Sequence, residues 1–185
     1  KKKYPDSFIC WLTKENALPL LKNNPLIDKL FSYNWETILR LQQEKFNILY
    51  SLEITTPGTL IANLVQANEK YGYYFDNGST SRFNKEAEEY LETAFLSHIK
   101  KQNKKTYQEL IFLTCNLPYN KQEMIFNLEK NEKNLKTKTE AKKVLDINFG
   151  SGERWPSKTI SKEKLIALIE KTKDQLVFAA EIDES

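Results

Sequence analysis

A run of residues free of glycine and proline extends between Pro25 and Pro57, and the centre of this run constrains the fold most. Asn34 stands where an N-cap residue belongs, because its side chain can accept a hydrogen bond from an N–H of the first helical turn. Apolar residues follow at helical spacing on two sides of the stretch, namely Trp35, Ile38, Leu39, Leu41, Phe46, Ile48, Leu49, Tyr50 and Leu52. A helix with two apolar sides has neighbours on both, so the sequence predicts a central helix over residues 34–53.

The rest of the chain also favours helices. The sequence has 185 residues, which suits one domain with a core of its own, and only 5 of them are glycine. Few glycines leave few tight turns, and the short connections favour antiparallel neighbours. The fold class predicted is therefore all-α: a compact bundle of about seven or eight mostly antiparallel helices with at most two short extended segments. We expect residues 1–185 to form a single helical domain.

Local signals set the other elements. Two pairs of residues have the spacing of a capping box, namely Thr106 with Glu109 and Asn120 with Glu123. In a capping box the side chain of each residue accepts a hydrogen bond from the backbone N–H of the other at the start of a helix. Asp76-Asn77-Gly78 is typical of a turn after a short extended aromatic run, and residues 144–149 are the best strand candidate. The predicted helices beside the central one cover residues 8–12, 26–31, 57–71, 84–101, 106–117, 120–128 and 161–180. We expect residues 129–143 to form an exposed connection.

Charge and composition limit the location and the partners of the protein. The formal net charge of +3 is too weak to indicate nucleic acid, and no apolar run approaches the roughly 18 residues of a membrane helix. No signal peptide is recognised, although the chain opens without Met and is open to being a fragment of a larger protein. Abundant Lys, Asn and Ile are typical of an AT-rich genome, such as that of an intracellular bacterium. We expect a cytoplasmic protein, including the case of an effector delivered to a host cytosol.

The segment from Gly152 to Thr159 nearly matches a phosphate-binding P-loop but has serine where the pattern requires its second glycine. That loop holds phosphate with backbone N–H groups, and Pro156 has none. The segment has a second interpretation as a binding loop. It presents Arg154, Trp155 and Lys158, and arginine and tryptophan are enriched at binding hot spots. The predicted binding residues are therefore these three, facing either an acidic protein or the anionic head group of a lipid.

Cys10 and the single histidine, His98, form the alternative catalytic hypothesis. A nucleophilic cysteine requires a base within hydrogen-bond reach and a third group to orient that base, a role that Asn116 could fill. The pair Cys10-Trp11 resembles the Cys-Trp of papain-type proteases, which implies a cysteine-dependent hydrolase. The other interpretation is that Cys10 and Cys115 are reduced, buried thiols.

No cofactor is expected, and one histidine with two distant cysteines excludes a zinc site of ordinary spacing. The first functional hypothesis is a non-enzymatic helical protein-interaction domain of effector-like character, whose partner is another protein. The alternatives are a cysteine-dependent hydrolase and a peripheral binder of anionic, phosphoinositide-type lipid. A transmembrane role and nucleic-acid binding are not expected, and the sequence leaves the oligomeric state open.

Overall fold

The computed structural model describes residues 1–125, 143–148, 160–172 and 176–181. The chain divides into two compact units, Lys1–Glu129 and Lys130–Ser185. The prediction of a single domain over residues 1–185 stays a prediction, because compactness alone does not decide whether two units fold together. Each unit is described by itself below.

Helices and strands alternate along much of the described chain. The strands are β1 (Cys10–Thr13), β2 (Lys29–Ser32), β3 (Lys45–Ser51), β4 (Gln66–Asp76), β5 (Ser79–Arg82), β6 (Lys143–Asn148) and β7 (Leu176–Glu181). The helices are α1 (Leu18–Leu21), α2 (Trp35–Gln43), α3 (Thr56–Leu64), α4 (Glu88–Phe95), α5 (Ser97–Gln102), α6 (Tyr107–Thr114) and α7 (Lys162–Thr172). Single 3₁₀ turns at Glu15–Ala17 and Lys85–Ala87 precede α1 and α4.

The prediction of an all-α bundle is wrong, because the protein has a mixed α/β fold. Three strand pairs are parallel: β1 with β2, β3 with β4, and β6 with β7. In each pair a helix lies between the two strands in sequence, as parallel pairing requires a crossover. Strands of parallel pairs often read as nearly continuous apolar runs, and such runs are hard to distinguish from buried helices in a sequence.

The central helix predicted over residues 34–53 is two elements. Its start is confirmed, since the Asn34 side chain accepts a hydrogen bond from the Thr37 N–H at 2.9 Å. The helix ends at Gln43, however, and β3 begins two residues later. Lys45 of β3 pairs with Gln66 of β4, so the second half of the apolar run is one strand of a parallel pair.

The other helices predicted near the N-terminus are also strands in part. The segments predicted as helices over residues 8–12 and 26–31 contain β1 and β2. The helix predicted over residues 57–71 ends at Leu64, and β4 follows it. Gly72 is not a helix cap: it lies inside β4 opposite Ser51, at the point where β4 stops pairing with β3.

β4 then forms a hairpin with β5, as the turn signal predicted. Tyr73 pairs with Arg82 and Asp76 with Ser79 in an antiparallel ladder. Asn77 and Gly78 have φ angles of 45° and 88°, the two positive values of a type I′ turn.

The core of the first unit joins the parallel pairs. Phe31 of β2, Leu41 of α2 and Val65, which follows α3, form its buried centre. Partly buried side chains pack around them: Cys10, Leu12, Phe46, Leu49 and Ile61. Both β1–β2 and β3–β4 thus contribute to one apolar cluster, although β1 and β3 are in separate sheets.

The helical part of this unit follows β5. The helix predicted over residues 84–101 is divided into a 3₁₀ turn, α4 and α5, with Leu96 extended between the two helices. The first capping box is confirmed, since Thr106 and Glu109 bond reciprocally at the start of α6. The second predicted box opens no helix over residues 120–125, where the Asn120 N–H donates to the side chain of Gln122.

The second unit contains β6, α7 and β7. The strand predicted over residues 144–149 is confirmed as β6, and Ser161 caps α7 by accepting a bond from the Lys164 N–H. The last helix is shorter than predicted: it ends at Thr172, and residues 176–181 form β7 instead. Most of the predicted connection 129–143 lies outside the described residues. No helix among the described residues is long and apolar enough to cross a membrane.

Candidate functional site

The predicted binding residues Arg154, Trp155 and Lys158 lie outside the described residues, as does the near P-loop between β6 and α7. The hypothesis of a binding loop there stays a prediction. The described residues hold no group of three or more His, Cys, Asp or Glu side chains arranged to bind a metal ion.

The residues of the catalytic hypothesis are spread over three elements. Cys10 opens β1, His98 is exposed on α5, and Asn116 is exposed after α6 with a φ of 51°. Burial, followed by the nearby Glu44 carboxylate, raises the pKa of the Cys10 thiol. A raised pKa disfavours the thiolate that a nucleophile requires. No contact among these three residues occurs in the described part of the chain, and the hydrolase hypothesis stays a prediction without geometric support.

An exposed carboxylate stands at the carboxyl end of β3. Glu53 follows this strand, and its Oε1 accepts a hydrogen bond from the Thr55 N–H at 3.0 Å. Thr55 is the N-cap of α3, so the side chain of Glu53 lies against the positive end of this helix. The position suits ligand binding, because ligands of parallel α/β proteins bind outside the carboxyl ends of the strands.

The backbone around Glu53 is fixed by neighbouring elements. The Thr80 hydroxyl of β5 donates to the Ile54 carbonyl at 3.0 Å. The buried Thr59 hydroxyl lies 3.1 Å from the carbonyls of both Thr55 and Thr56. A Cβ on Gly58 would lie 2.3 Å from the Glu53 Cγ, so only glycine leaves room for the Glu53 side chain in this position. The loop therefore holds the carboxylate in place before any ligand arrives.

A row of three tyrosines extends from β4 through α4 to α6. Tyr73 of β4 is buried, Tyr90 of α4 is half-buried, and Tyr107 of α6 is exposed. The ring centroids are 5.9 Å apart for the first pair and 5.7 Å for the second. Burial raises the pKa of Tyr90, and the charges of Tyr107 and Glu53 and a hydrogen bond with Tyr107 add to this effect. Glu53 is thus close enough to Tyr90 to act on its ionisation.

Glu53 forms no ion pair within the described part of the chain. Two ion pairs of the same unit join other residues: Arg82 pairs with Glu88 at 2.8 Å, and Lys105 pairs with Glu89 at 2.5 Å. A carboxylate that is held in place and has no cationic partner is free to accept hydrogen bonds from a ligand. The arrangement can bind a polar ligand.

A wide cavity of about 480 Å³ lies along α4. Its lining is formed by Lys85, Glu86, Glu88, Glu89, Glu92 and Leu113. Acidic residues are favourable in the first turn of a helix, and two of the four carboxylates are paired as described above. The helix position and the two ion pairs therefore explain the acidic lining of this cavity, and no ligand is needed to explain it.

One further surface is exposed and apolar. Trp35 and Leu39 lie one turn apart on α2, with 73% and 46% of their surfaces exposed. Tryptophan is the large apolar residue whose exposure most often coincides with a binding hot spot. The sequence predicted both residues to face the core from a central helix. In the structure they are exposed, and Leu41 is the residue of α2 that is buried.

The chain matches no protein-family model, no curated protein and no solved structure at a significant level. The sequence pattern predicted Glu53 to lie inside a helix, and so it gave no functional role to this residue. The signal that could have revealed it is the order of an apolar run, a short polar segment and Thr56-Pro57, which is typical of a strand that leads into a helix.

Proposed function

We propose that the first unit binds a small polar ligand at the carboxyl end of β3, with Glu53 as the group that anchors it. The observation that carries the proposal is the exposed Glu53 carboxylate, which the Thr55 N–H holds in position and which has no cationic partner among the described residues. The parallel pairing of β3 with β4 supports this location, since the crevice outside such strands is the usual ligand site of the fold class.

The chemistry of the site restricts the ligand. An ionised carboxylate only accepts hydrogen bonds, so the ligand must present an N–H or O–H donor to Glu53. Tyr90, whose ionisation the Glu53 charge affects, adds an aromatic group with a polar end, and its ring packs edge-on against Tyr107. A ligand that combines a donor with an apolar or ring-shaped body fits these groups best.

A fragment screen by ligand-observed NMR tests this proposal. The wild-type protein is compared with Glu53→Gln, which keeps the shape and the acceptor for Thr55 but removes the charge. Glu36→Gln, on the exposed face of α2, is the matched control. We expect fragments with amine or hydroxyl donors that bind the wild type and the control and lose binding in Glu53→Gln. Equal binding to all three proteins, or no fragment bound by the wild type, would overturn the proposal.

A protein-interaction function, which is the first hypothesis from the sequence, remains a second proposal. It is favoured by the exposure of Trp35 and Leu39 on α2, because such a side chain gains most when a partner covers it. The interaction residues proposed from the sequence, Arg154, Trp155 and Lys158, stay part of it. A cytoplasmic location, delivery to a host cytosol and an anionic lipid as the alternative partner also remain proposals.

A pull-down from cell lysate read by mass spectrometry tests the second proposal. The double variant Trp35→Ala/Leu39→Ala is compared with the wild type and with Leu20→Ala, whose side chain is 48% exposed on α1. We expect one protein that is enriched by the wild type and by Leu20→Ala and absent with the double variant. If the same proteins are enriched in all three samples, the α2 surface is not an interaction site.

A further inference from the structure

We propose that Asn77, in the turn between β4 and β5, is a site of spontaneous deamidation that converts the asparagine to aspartate and isoaspartate. Asn77 is the only asparagine in the sequence that is followed by glycine. Asparagine is among the residues that limit the chemical lifetime of proteins, and a glycine after it leaves the attacking amide unhindered.

The reaction needs no partner other than water. The backbone nitrogen of Gly78 attacks the side-chain Cγ of Asn77, a C–N bond forms, and the side-chain nitrogen leaves as ammonia. The five-membered imide that results is then opened by water at one of its two carbonyls. Opening at one carbonyl gives aspartate, and opening at the other gives isoaspartate, in which the main chain passes through the former side chain.

The structure leaves this turn accessible for the reaction. Asn77 and Gly78 are exposed, and a Cβ built on Gly78 has no atom within 4 Å. The Gly78 N–H has no hydrogen-bond partner among the described residues, so its nitrogen is available to attack. The side chain of Asn77 is restrained only by its bond to the Asp76 carboxylate, at 3.1 Å on the surface.

Isoaspartate at this position changes the hairpin. A type I′ turn has two central residues with positive φ, and an extra main-chain carbon between them no longer fits this geometry. The Ser79 hydroxyl bonds the Asp76 carbonyl at 3.2 Å, and Thr80 bonds the Ile54 carbonyl beside Glu53. Conversion of Asn77 therefore loosens the contact that positions the loop after β3.

Peptide mapping by mass spectrometry after incubation at mildly alkaline pH and body temperature tests the proposal. The full chain is incubated folded and, in parallel, unfolded in urea. We expect the peptide that contains Asn77 to gain about 1 Da in the folded protein and to separate into aspartate and isoaspartate forms, while other asparagines stay unchanged. In Gly78→Ala the conversion should be severalfold slower, because the added methyl group hinders the attack.

Two results would overturn the proposal. If the unfolded chain converts at Asn77 and the folded chain does not, the turn protects the residue. If Asn77 stays unchanged in both the folded and the unfolded sample, like the other asparagines, it is not reactive in this sequence. Where the folded protein does convert, hydrogen exchange of the Ser81 amide, which pairs with Tyr74 in the hairpin, measures the effect on the ladder. Exchange as slow as in the unmodified protein would refute the proposed loosening.

Discussion

The hydroxyl oxygen of Tyr73 lies 3.0 Å from the hydroxyl oxygen of Thr114, and this contact joins β4 to α6 inside the first unit. Neither side chain is exposed to solvent. Each hydroxyl also has a main-chain carbonyl within hydrogen-bond reach: the Leu110 carbonyl lies 2.9 Å from the Thr114 hydroxyl, and the Ala87 carbonyl lies 3.2 Å from the Tyr73 hydroxyl. Asn84 extends the network, since its amide donates to the Thr114 carbonyl at 3.0 Å and accepts from the Gly72 N–H at 2.8 Å.

Removing the Tyr73 hydroxyl should destabilise the protein measurably. In Tyr73→Phe the buried Thr114 hydroxyl and the Ala87 carbonyl both lose a hydrogen-bond partner, and an unsatisfied buried polar group costs about 1–3 kcal/mol. We expect the free energy of unfolding, measured by urea titration, to fall by this amount. Tyr33→Phe is the control, because Tyr33 is 42% exposed and surface changes usually stay within about 0.5 kcal/mol. Equal stability of the two variants would contradict the role of the buried pair.

Gly72 should tolerate no other residue. Its φ is 96°, and a Cβ there would lie 1.8 Å from the Ser51 carbonyl oxygen in the neighbouring strand. We expect Gly72→Ala to lose about 3 kcal/mol or more of stability, or not to fold, because both strain and a backbone clash oppose it. Gly78→Ala is the matched comparison: its φ is 88° with open space around the Cβ, so strain alone should cost about 1–2 kcal/mol. Circular dichroism with urea titration measures both, and similar losses would show that the contact with Ser51 is unimportant.

The capping box of α6 should contribute to stability through Thr106. Its side chain accepts a hydrogen bond from the Glu109 N–H at 3.2 Å, while Glu109 accepts one from the Thr106 N–H at 2.6 Å. We expect Thr106→Ala to lower the free energy of unfolding by about 1 kcal/mol. Ser97→Ala at the start of α5, where no side chain caps the helix, should have a smaller effect in the same measurement. A larger loss in Ser97→Ala would contradict the assignment.

Stability should fall at alkaline pH because of Cys115. Burial raises the pKa of this thiol from 9.0 to about 12, so the folded state retains a proton that the unfolded state releases. The contribution of the protonated thiol to the free energy of unfolding is complete below about pH 9. It decreases by about 1.4 kcal/mol per pH unit as the pH rises towards 12. We expect the free energy of unfolding to fall less between about pH 8 and about pH 10 in Cys115→Ala than in the wild type. Parallel pH dependences would show that the Cys115 thiol ionises as readily in the folded protein as in the unfolded one.

The sequence predicted those features that depend on neighbouring residues. Thr106 and Glu109 are three residues apart, and Asn34 needs only the Thr37 N–H, so both helix starts could be recognised without a tertiary structure. The turn at Asn77 was predicted for the same reason, since two adjacent residues with positive φ favour Asn-Gly. The candidate site could not be predicted in this way. The bond between the Thr55 N–H and Glu53 is local, but Glu53 lies at a candidate ligand site only because β3 is a strand.

The tertiary structure decided which apolar segments are strands. Residues 46–50 satisfy the spacing of a helix and also the continuous apolar character of a buried parallel strand. The choice depends on hydrogen bonds to a partner such as Gln66, which is paired with Lys45 across an intervening helix. Local propensity contains no information about that partner. The sequence by itself therefore determined the caps at Asn34 and Thr106 and the turn at Asn77. Only the pairing of distant strands made this an α/β protein, because parallel strands take their hydrogen bonds from residues far along the chain.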